Sequence, residues 1–396
     1  MNQVANYSST KIVTTNRVIG EIQGTKQGPT VVFFAGIHGN EKAGVTALKT
    51  MFKTFTEEDI TGTVFGILGN LKALKKNQRY LEEDLNRLWT SERLKTLMHK
   101  ENLNSEESEQ KELLLVLNNL ITTNSGPFYF IDFHTTSSKT LPFITINDAL
   151  INRKFSKQFP VPIVLGIEEY LDGPLLSYIN ALGYVSLGFE SGQHEDKEAI
   201  INCTSFIYLA LVFTKAIENK KEKEYIKHYE QLKSTSNNLE EIFEIIYLYR
   251  IQKEEVFTMK QGFKSFEDIK KKTVLATSNN KPILSKYNAK LFMPLYQKKG
   301  KDGFFIIKRI PAFFMHLSTI LRRMKVDSLL VLLPGVFWEN DKKKVLVVNL
   351  KIARFFAKSI FHLLGYRNQQ VDATHMKLYN RERATKKAMY KDQAWY

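Results

Sequence analysis

Cysteine is almost absent from this sequence, since Cys203 is the only one among 396 residues. A disulfide within the chain needs two thiols and a thiolate metal cluster needs several, so both are excluded. Free cysteine is usually buried, which favours a structural thiol over a nucleophile at this position. Long apolar runs are also missing: those at 31–36 and 328–337 are much shorter than the roughly 20 residues that cross a bilayer. The N-terminus has no basic start followed by an apolar segment, so we expect a cytoplasmic protein without a membrane span.

Acidic residues are fewer than basic ones, 41 against 57, and the basic excess is unevenly distributed. Residues 311–396 contain 16 Lys and Arg and 6 Asp and Glu, which places +10 of the total net charge of +16 in this segment. A basic segment attracts anions of every kind and does not identify a partner by itself. Most charge runs are solvated surface. A nucleic-acid or anionic-surface binder is therefore the alternative from another class, and we expect no nucleic-acid partner.

Short apolar runs alternate with helical stretches through residues 1–217. This pattern predicts an α/β domain with a mixed, mostly parallel sheet and helices on both faces. The acidic stretch 105–111 is expected to be a solvated helix face or loop. The predicted strands are 31–36, 63–69, 128–134, 143–146, 162–166 and 184–190, and the predicted helices are 41–55, 90–122 and 196–216.

Beyond this domain the composition changes twice. Residues 218–239 are strongly charged and predict an exposed helix with a linker. Short strands broken by Gly, Lys and Asn clusters then predict a small C-terminal β domain over 240–310. Residues 311–396 form a basic helical extension in this interpretation, with a polar end after Arg367 that predicts partial disorder. Its helical patterns lie at 313–325 and 344–364.

Residues suited to catalysis concentrate at strand ends, where an open α/β sheet binds its ligands. Strand 31–36 leads into His38 and Glu41, and their three-residue separation on a tight turn brings imidazole and carboxylate to the same side. Gly36 permits the sharp turn. His134 ends another predicted strand. Two His and one Glu leave a coordination position open in catalytic zinc sites, so we predict one Zn²⁺ held by His38, Glu41 and His134.

Further polar residues could support such a site. Asp132 either hydrogen-bonds a ligand and fixes its tautomer or caps a turn. Glu190 ends another strand, where it would serve as general base and then protonate the leaving amine. Without a metal nearby, it would instead cap the following helix or pair with a surface Lys. Arg79 and Arg87 could bind a carboxylate or polarise a carbonyl, although either alone is an ordinary surface cation.

Four ordered motifs resemble the succinylglutamate desuccinylase and aspartoacylase family, relatives of the zinc carboxypeptidases. The motifs are GIHGNE at 36–41, NQRYLEEDLNR at 77–87, DFHT at 132–135 and GFESG at 188–192. The resemblance covers about residues 25–310, including the small β domain. It implies a zinc-carboxypeptidase-like fold and hydrolysis of an amide bond in a small acidic N-acyl amino acid.

The resemblance also implies roles for individual residues. His194, four residues after Glu190, matches none of these roles; it could lie near the metal as an extra proton carrier, but an exposed loop is the expectation. The implied roles are zinc ligation by His38, Glu41 and His134, general-base catalysis by Glu190, polarisation of the carbonyl by Arg79, and binding of the substrate carboxylate by Asn86 with Arg87.

One departure from the family concerns the substrate. Aspartoacylases carry a further substrate-binding arginine before the catalytic glutamate, whereas residues 175–186 contain none. This departure argues against N-acetylaspartate. A metallocarboxypeptidase acting on peptides would use the same groups and is the alternative among enzymes. The sequence leaves open whether the chain forms a homo-oligomer.

Overall fold

The computed structural model describes residues 16–218, 222–339, 345–349, 351, 358–370 and 375–396. The helices are α1 (Ala43–Thr54), α2 (Leu71–Lys76), α3 (Ser91–Leu97), α4 (Ser105–Thr123), α5 (Leu150–Ser156), α6 (Leu175–Ala181), α7 (Lys197–Phe213), α8 (Glu222–Thr235), α9 (Ala312–Arg323) and α10 (Lys358–Leu363). Short 3₁₀ segments span Leu85–Arg87, Ile167–Glu169, Val326–Leu332 and Lys387–Tyr390.

The strands follow the same chain order. They are β1 (Val18–Gln23), β2 (Lys26–Ala35), β3 (Thr61–Leu68), β4 (Phe128–Thr136), β5 (Phe143–Ile146), β6 (Ile163–Leu165), β7 (Val185–Gln193), β8 (Ile242–Arg250), β9 (Phe257–Met259), β10 (Asp268–Ile269), β11 (Val274–Ser278), β12 (Lys281–Leu284), β13 (Ala289–Phe292), β14 (Asp302–Arg309), β15 (Val336–Trp338), β16 (Val345–Asn349), β17 (Tyr366–Gln370) and β18 (His375–Asn380).

A central sheet of eleven strands organises the molecule, in the order β1-β3-β2-β4-β7-β5-β6-β8-β14-β13-β10. The run β3-β2-β4-β7 is parallel throughout, and β5 joins it antiparallel to β7. Every residue of β4 is buried, because helices cover both faces of a parallel sheet. The predicted α/β fold with a mixed sheet is confirmed, and all six predicted strands are present.

Two apolar cores lie on opposite faces of this sheet. Phe33 and Phe133 pack on one face with Phe206 of α7, whereas Phe34 and Phe130 pack on the other. Neighbouring residues of a strand point to opposite faces, so the continuous apolar sequence of β2 feeds both cores. No described helix is long and apolar enough to cross a membrane.

Cys203 lies fully buried in the first of these cores. Burial raises the pKa of its thiol to about 12. A thiol that stays protonated is a poor nucleophile, which agrees with the predicted structural role.

The strands expected over 240–310 are present, and four of them extend the central sheet. Ile163 of β6 is the parallel partner of Ile242 in β8, and β8 continues into β14, β13 and β10. The remaining strands form a three-stranded sheet in the order β12-β11-β9. Backbone pairing is therefore continuous between this region and the strands of residues 16–217.

The C-terminal extension is less helical than expected. Helix α9 confirms the pattern at 313–325, but the helix predicted over 344–364 is wrong for Val345–Asn349, which is strand β16. This strand lies in a four-stranded antiparallel sheet, β15-β16-β18-β17, because its Val-rich sequence favours a pleated, buried conformation. Residues 344, 350 and 352–357 of the predicted helix lie outside the described residues.

The end of the chain packs into the first core of the central sheet. Tyr390 and Trp395 are buried in the first core, so the predicted disorder is wrong for them. The Tyr390 hydroxyl donates to the carbonyl of Phe128 in β4 at 2.6 Å and accepts from the amide of Val185 in β7 at 2.9 Å. The last turn of the chain thus contacts the two strands that lead to the candidate site.

Buried charges join the extension to the same part. The Arg322 guanidinium is fully buried and lies 2.8 Å from a carboxylate oxygen of Asp148 and 3.4 Å from one of Glu382. It also donates to the carbonyls of His362 and Leu363. A buried arginine requires such a complete set of acceptors, because an unpaired charge is costly to remove from water.

We predict that Arg322→Ala lowers the free energy of unfolding by about 3–5 kcal/mol, because it removes a buried guanidinium that both Asp148 and Glu382 contact. Urea unfolding followed by circular dichroism would measure the change. The matched control is Arg323→Ala at the exposed neighbouring position, which should stay within about 0.5 kcal/mol. Equal stabilities of the two variants would contradict this role for Arg322.

Candidate metal centre

The candidate site forms where β2, β4 and β7 end side by side. His134 of β4 and Glu190 of β7 are partners in register, and the turn with His38 and Glu41 follows β2. Gly39 is required in that turn, since a Cβ atom there would come within 2.1 Å of the Ala73 carbonyl carbon. The parallel sheet therefore brings together side chains that are far apart in sequence.

The Glu41 carboxylate lies between two imidazoles. One oxygen is 2.8 Å from Nδ1 of His38, and the other is 2.9 Å from Nδ1 of His134. One ligand atom from each of these three residues lies within 4.8 Å of the others, and all three side chains are buried. Two imidazoles and a carboxylate are a donor set that Zn²⁺ prefers in catalytic sites. The predicted ligands thus converge and fit a zinc ion.

A second carboxylate holds the far side of each imidazole. Nε2 of His38 is 3.0 Å from Asp84, and Nε2 of His134 is 2.8 Å from Asp132. A carboxylate on one ring nitrogen fixes the tautomer and leaves the other nitrogen for a metal. Asp132 was expected either to orient a ligand or to cap a turn, and its contact with His134 agrees with the first role. Both rings consequently present Nδ1 to the same point.

Charge complementarity keeps these groups ionised despite burial. Burial raises the pKa of a carboxyl group, but His38 and His134 outweigh it and hold the pKa of Glu41 well below its usual range. Burial likewise opposes the charged form of His134, yet Asp132 and Glu41 hold its pKa well above the ordinary value. Because a ligating imidazole must be neutral, a metal and protons compete for this site.

Arg79 lies at the edge of the ligand set. Its guanidinium donates to Glu41 at 3.3 Å and to Asp84 at 3.2 Å. The charges of His38 and Arg79 overcome the effect of burial and hold the pKa of Asp84 well below its usual range. Arg79, which was predicted to polarise the carbonyl group of a substrate, therefore lies next to the candidate ligands.

The loop that carries Arg79 and Asp84 is held from α4. The buried Glu106 carboxylate accepts from the amide of Leu81 at 2.7 Å and from that of Glu82 at 3.1 Å. The solvated surface expected over 105–111 is wrong for Glu106, which is fully buried. The Glu106 carboxylate oxygens accept hydrogen bonds from backbone amides of a loop about 25 residues earlier in the chain. No local sequence pattern predicts this pairing.

Glu190 is buried beside His134, and its Oε2 has no hydrogen-bond partner among the described residues. Burial raises the pKa of Glu190 to about 7. The role of helix cap belongs to Asp196, which accepts from the amide of Glu198 at the start of α7. A carboxylate with an unpaired oxygen and a near-neutral pKa can both take up and release a proton.

Arg87 and Asn86 occupy different surroundings. Arg87 lines a cavity of about 390 Å³ together with Arg79, and its guanidinium is 3.0 Å from the carboxylate of Asp302 in β14. Asn86 does not line this cavity, and its side-chain oxygen accepts from the amide of Leu175 at 2.9 Å. The arginine therefore faces the space beside the ligands, whereas the asparagine holds the start of α6.

A polar chain missed by the sequence interpretation closes the other side. His194 is half-buried rather than exposed, and its Nδ1 is 2.7 Å from the hydroxyl of Thr135. Its Nε2 is 3.4 Å from the side-chain oxygen of Gln297, which also accepts from Asn40 at 3.3 Å. Gln297 comes from the segment after β13, so only the folded chain brings it here.

Comparison with known proteins assigns the region that contains this site. Residues 27–196 match the family model "Succinylglutamate desuccinylase/Aspartoacylase catalytic domain". These residues, fewer than half of the chain, are similar to the catalytic domain of that family. The match includes all three candidate ligands and Glu190, so the resemblance inferred from the four motifs is confirmed.

Individual relatives agree over parts of their length. A succinylglutamate desuccinylase of Photorhabdus laumondii is 33% identical over 111 residues, which cover 26% of this chain and 33% of that protein. A probable aspartoacylase of Acaryochloris marina is 29% identical over 126 residues, covering 31% of this chain and 40% of that protein. The chain thus aligns with well under half the length of these curated relatives.

Solved structures extend the likeness of fold. A succinylglutamate desuccinylase/aspartoacylase from Rhodobacter sphaeroides superposes with a TM-score of 0.57 at 14% identity, over 74% of this chain and 88% of that one. At this identity the superposition shows the fold alone. It covers much more of the chain than the sequence matches do.

We predict that Asp132→Asn weakens zinc binding about 10- to 100-fold, because an amide no longer holds the His134 ring in the tautomer that presents Nδ1. Competition with a chromophoric chelator would measure the affinity. Asp172→Asn, at an exposed carboxylate of the same cavity, is the matched control and should bind zinc as the unaltered chain does. Equal affinities for both variants would rule out orientation by Asp132.

Proposed function

We propose that this chain is a zinc-dependent hydrolase that cleaves the amide bond of a small N-acyl amino acid. The observation that carries the proposal is the buried convergence of His38, Glu41 and His134, with the unpaired oxygen of Glu190 beside them. The family of the catalytic domain includes desuccinylases and aspartoacylases, which supports this class of reaction.

Each residue of the site has a task in such a hydrolysis. Zinc held by His38, Glu41 and His134 would polarise a carbonyl and lower the pKa of a water molecule. Glu190 takes the proton from the attacking water and later delivers it to the leaving amine. Arg79 stabilises the negative charge that develops on the carbonyl oxygen, since its guanidinium lies at the edge of the ligand set.

Arg87 is the candidate for binding the substrate carboxylate. Its partner Asp302 competes for the same guanidinium, so substrate binding must displace that ion pair or share the arginine. Asn86 contributes by holding the loop in place through Leu175. The segment before Glu190 supplies no arginine, so an N-acetylaspartate specificity is not proposed.

The alternative enzyme is a metallocarboxypeptidase that trims peptides. The cavity beside the ligands is only about 390 Å³, and Met293, Gln297 and Asp302 from the C-terminal β region form part of its wall. A space of this size suits a small molecule better than a polypeptide.

A hydrolysis screen of the zinc-loaded protein would test the proposal. N-acetyl, N-succinyl and longer N-acyl amino acids would be assayed beside peptides with a free C-terminus. Hydrolysis of an N-acyl amino acid with little peptide release supports the deacylase. Release of C-terminal residues from peptides would favour the carboxypeptidase, and hydrolysis of neither class would overturn both.

We predict that Glu190→Gln lowers kcat about 100- to 10,000-fold while the zinc content stays the same, because the amide cannot accept the proton. Steady-state kinetics with metal analysis by atomic absorption would check both quantities. Glu198→Gln changes an exposed carboxylate eight residues away and should leave kcat unaltered. Turnover that survives in Glu190→Gln would remove this residue from the proposed role.

We predict that Arg87→Leu raises KM about 10- to 100-fold for substrates with a carboxylate, because a charge-assisted hydrogen bond is lost. Asp302→Asn should lower KM, since it removes the competitor for that guanidinium. Arg93→Leu is the control, because Arg93 lines the same cavity but pairs with Glu83 at 2.8 Å. An unchanged KM in Arg87→Leu would show that the carboxylate binds elsewhere.

A further inference from the structure

The C-terminal extension exposes a concentration of large apolar side chains. Seven of the 16 exposed large apolar side chains of the described residues lie between positions 313 and 337. Phe314 lines a cavity of about 500 Å³ between α9 and the central sheet. The other six, which we call the apolar patch, are Phe313, Ile320, Met324, Leu329, Leu332 and Phe337.

Helix α9 has a buried side and, opposite it, an exposed apolar side. Met315, Ser318 and Arg322 face inward and are buried. Phe313, Ile320 and Met324 follow at spacings of seven and four residues, which place them along one stripe on the opposite side. A stripe of this kind on a surface helix lacks the polar character that contact with water favours. Its exposure therefore indicates a surface that another partner covers.

The other three members of the patch follow this helix in the chain. Leu329 and Leu332 belong to the 3₁₀ segment after α9 and are 58% and 78% exposed, and Phe337 in β15 is 50% exposed. Leu330 and Val336, between them in sequence, are buried in the core that the extension shares with Leu321 of α9. Helix α9, the 3₁₀ segment and β15 thus share one core. Leu329, Leu332 and Phe337 lie outside that core and are exposed to solvent.

Cations lie next to the patch. Arg323 and Lys325 are exposed and flank Met324 in sequence. Burial and the positive charges of Arg323 and Lys387 lower the pKa of Lys154, which shows that these cations lie near one another. Arg323 and Lys325 therefore place positive charge directly beside Met324 of the patch.

We propose that the apolar patch docks this protein onto an anionic lipid bilayer, with Phe313, Met324 and Leu332 inserted among the lipids. Apolar side chains enter the boundary of the acyl chains while neighbouring Lys and Arg contact anionic headgroups. Nucleic acid has matching charge but offers no apolar phase for Ile320, Met324 and Leu332. A second copy would face the same basic extension across a symmetric interface, so like charges would repel.

Flotation of the full chain with lipid vesicles tests this surface. We expect the protein to float with vesicles of phosphatidylcholine and phosphatidylglycerol, to float weakly with phosphatidylcholine alone, and to detach as salt is raised. The triple variant Phe313→Ser, Met324→Ser, Leu332→Ser should bind at least about tenfold more weakly, since its buried apolar area is lost. The matched control, Ile226→Ser with Val256→Ser, alters exposed apolar residues elsewhere and should bind as the unaltered chain does.

Several results would overturn the docking surface. They are absence of flotation by the unaltered chain, equal binding by the triple variant, a dimer in analytical ultracentrifugation that the triple variant abolishes without any vesicle binding, and a salt-sensitive gel shift with nucleic acid in place of flotation. Thermal unfolding of both variants verifies that they fold. The proposed hydrolysis is measured separately, so failure of one proposal leaves the other intact.

Discussion

The buried Glu41 carboxylate is the constraint on which the site depends. A charge in that position needs compensation, and His38, His134 and Arg79 surround it within hydrogen-bonding distance. Each of these groups then needs its own support, which Asp132 supplies for His134. The result is a chain of paired charges, each of which fixes the orientation of the next. Preorganisation of this kind would position the three candidate ligands before a metal binds.

This chain of charges reaches well beyond the strand ends. Glu106 of α4 holds the loop of Arg79 by its backbone amides, and Gln297 of the C-terminal β region closes the opposite side through His194. Tyr390 anchors the end of the chain to the strands of the site. Parts that look like separate modules in sequence therefore stabilise one site, and β8 joins them by continuous backbone pairing.

The C-terminal extension has two faces of different character. Its inner face carries Arg322, whose buried charge is matched by Asp148 and Glu382 and holds the extension against the catalytic part. Its outer face carries the apolar patch in basic surroundings. A bilayer bound there would bring the proposed hydrolase to a surface and would not require any change in the site. Membrane binding and the proposed catalysis would then reside in different parts of one chain.

The sequence by itself determined the strand pattern, the residues of the candidate site and the resemblance to a family, because each is encoded in local periodicity or in motifs at strand ends. Cys203 was also predictable, since an isolated thiol is usually buried. Only the tertiary structure decided the roles of Glu106, His194 and Gln297, which depend on partners distant in sequence. It also turned a predicted helix into β16, because sheet pairing and burial override a helical pattern. Long-range contacts, which local patterns do not encode, decide such cases.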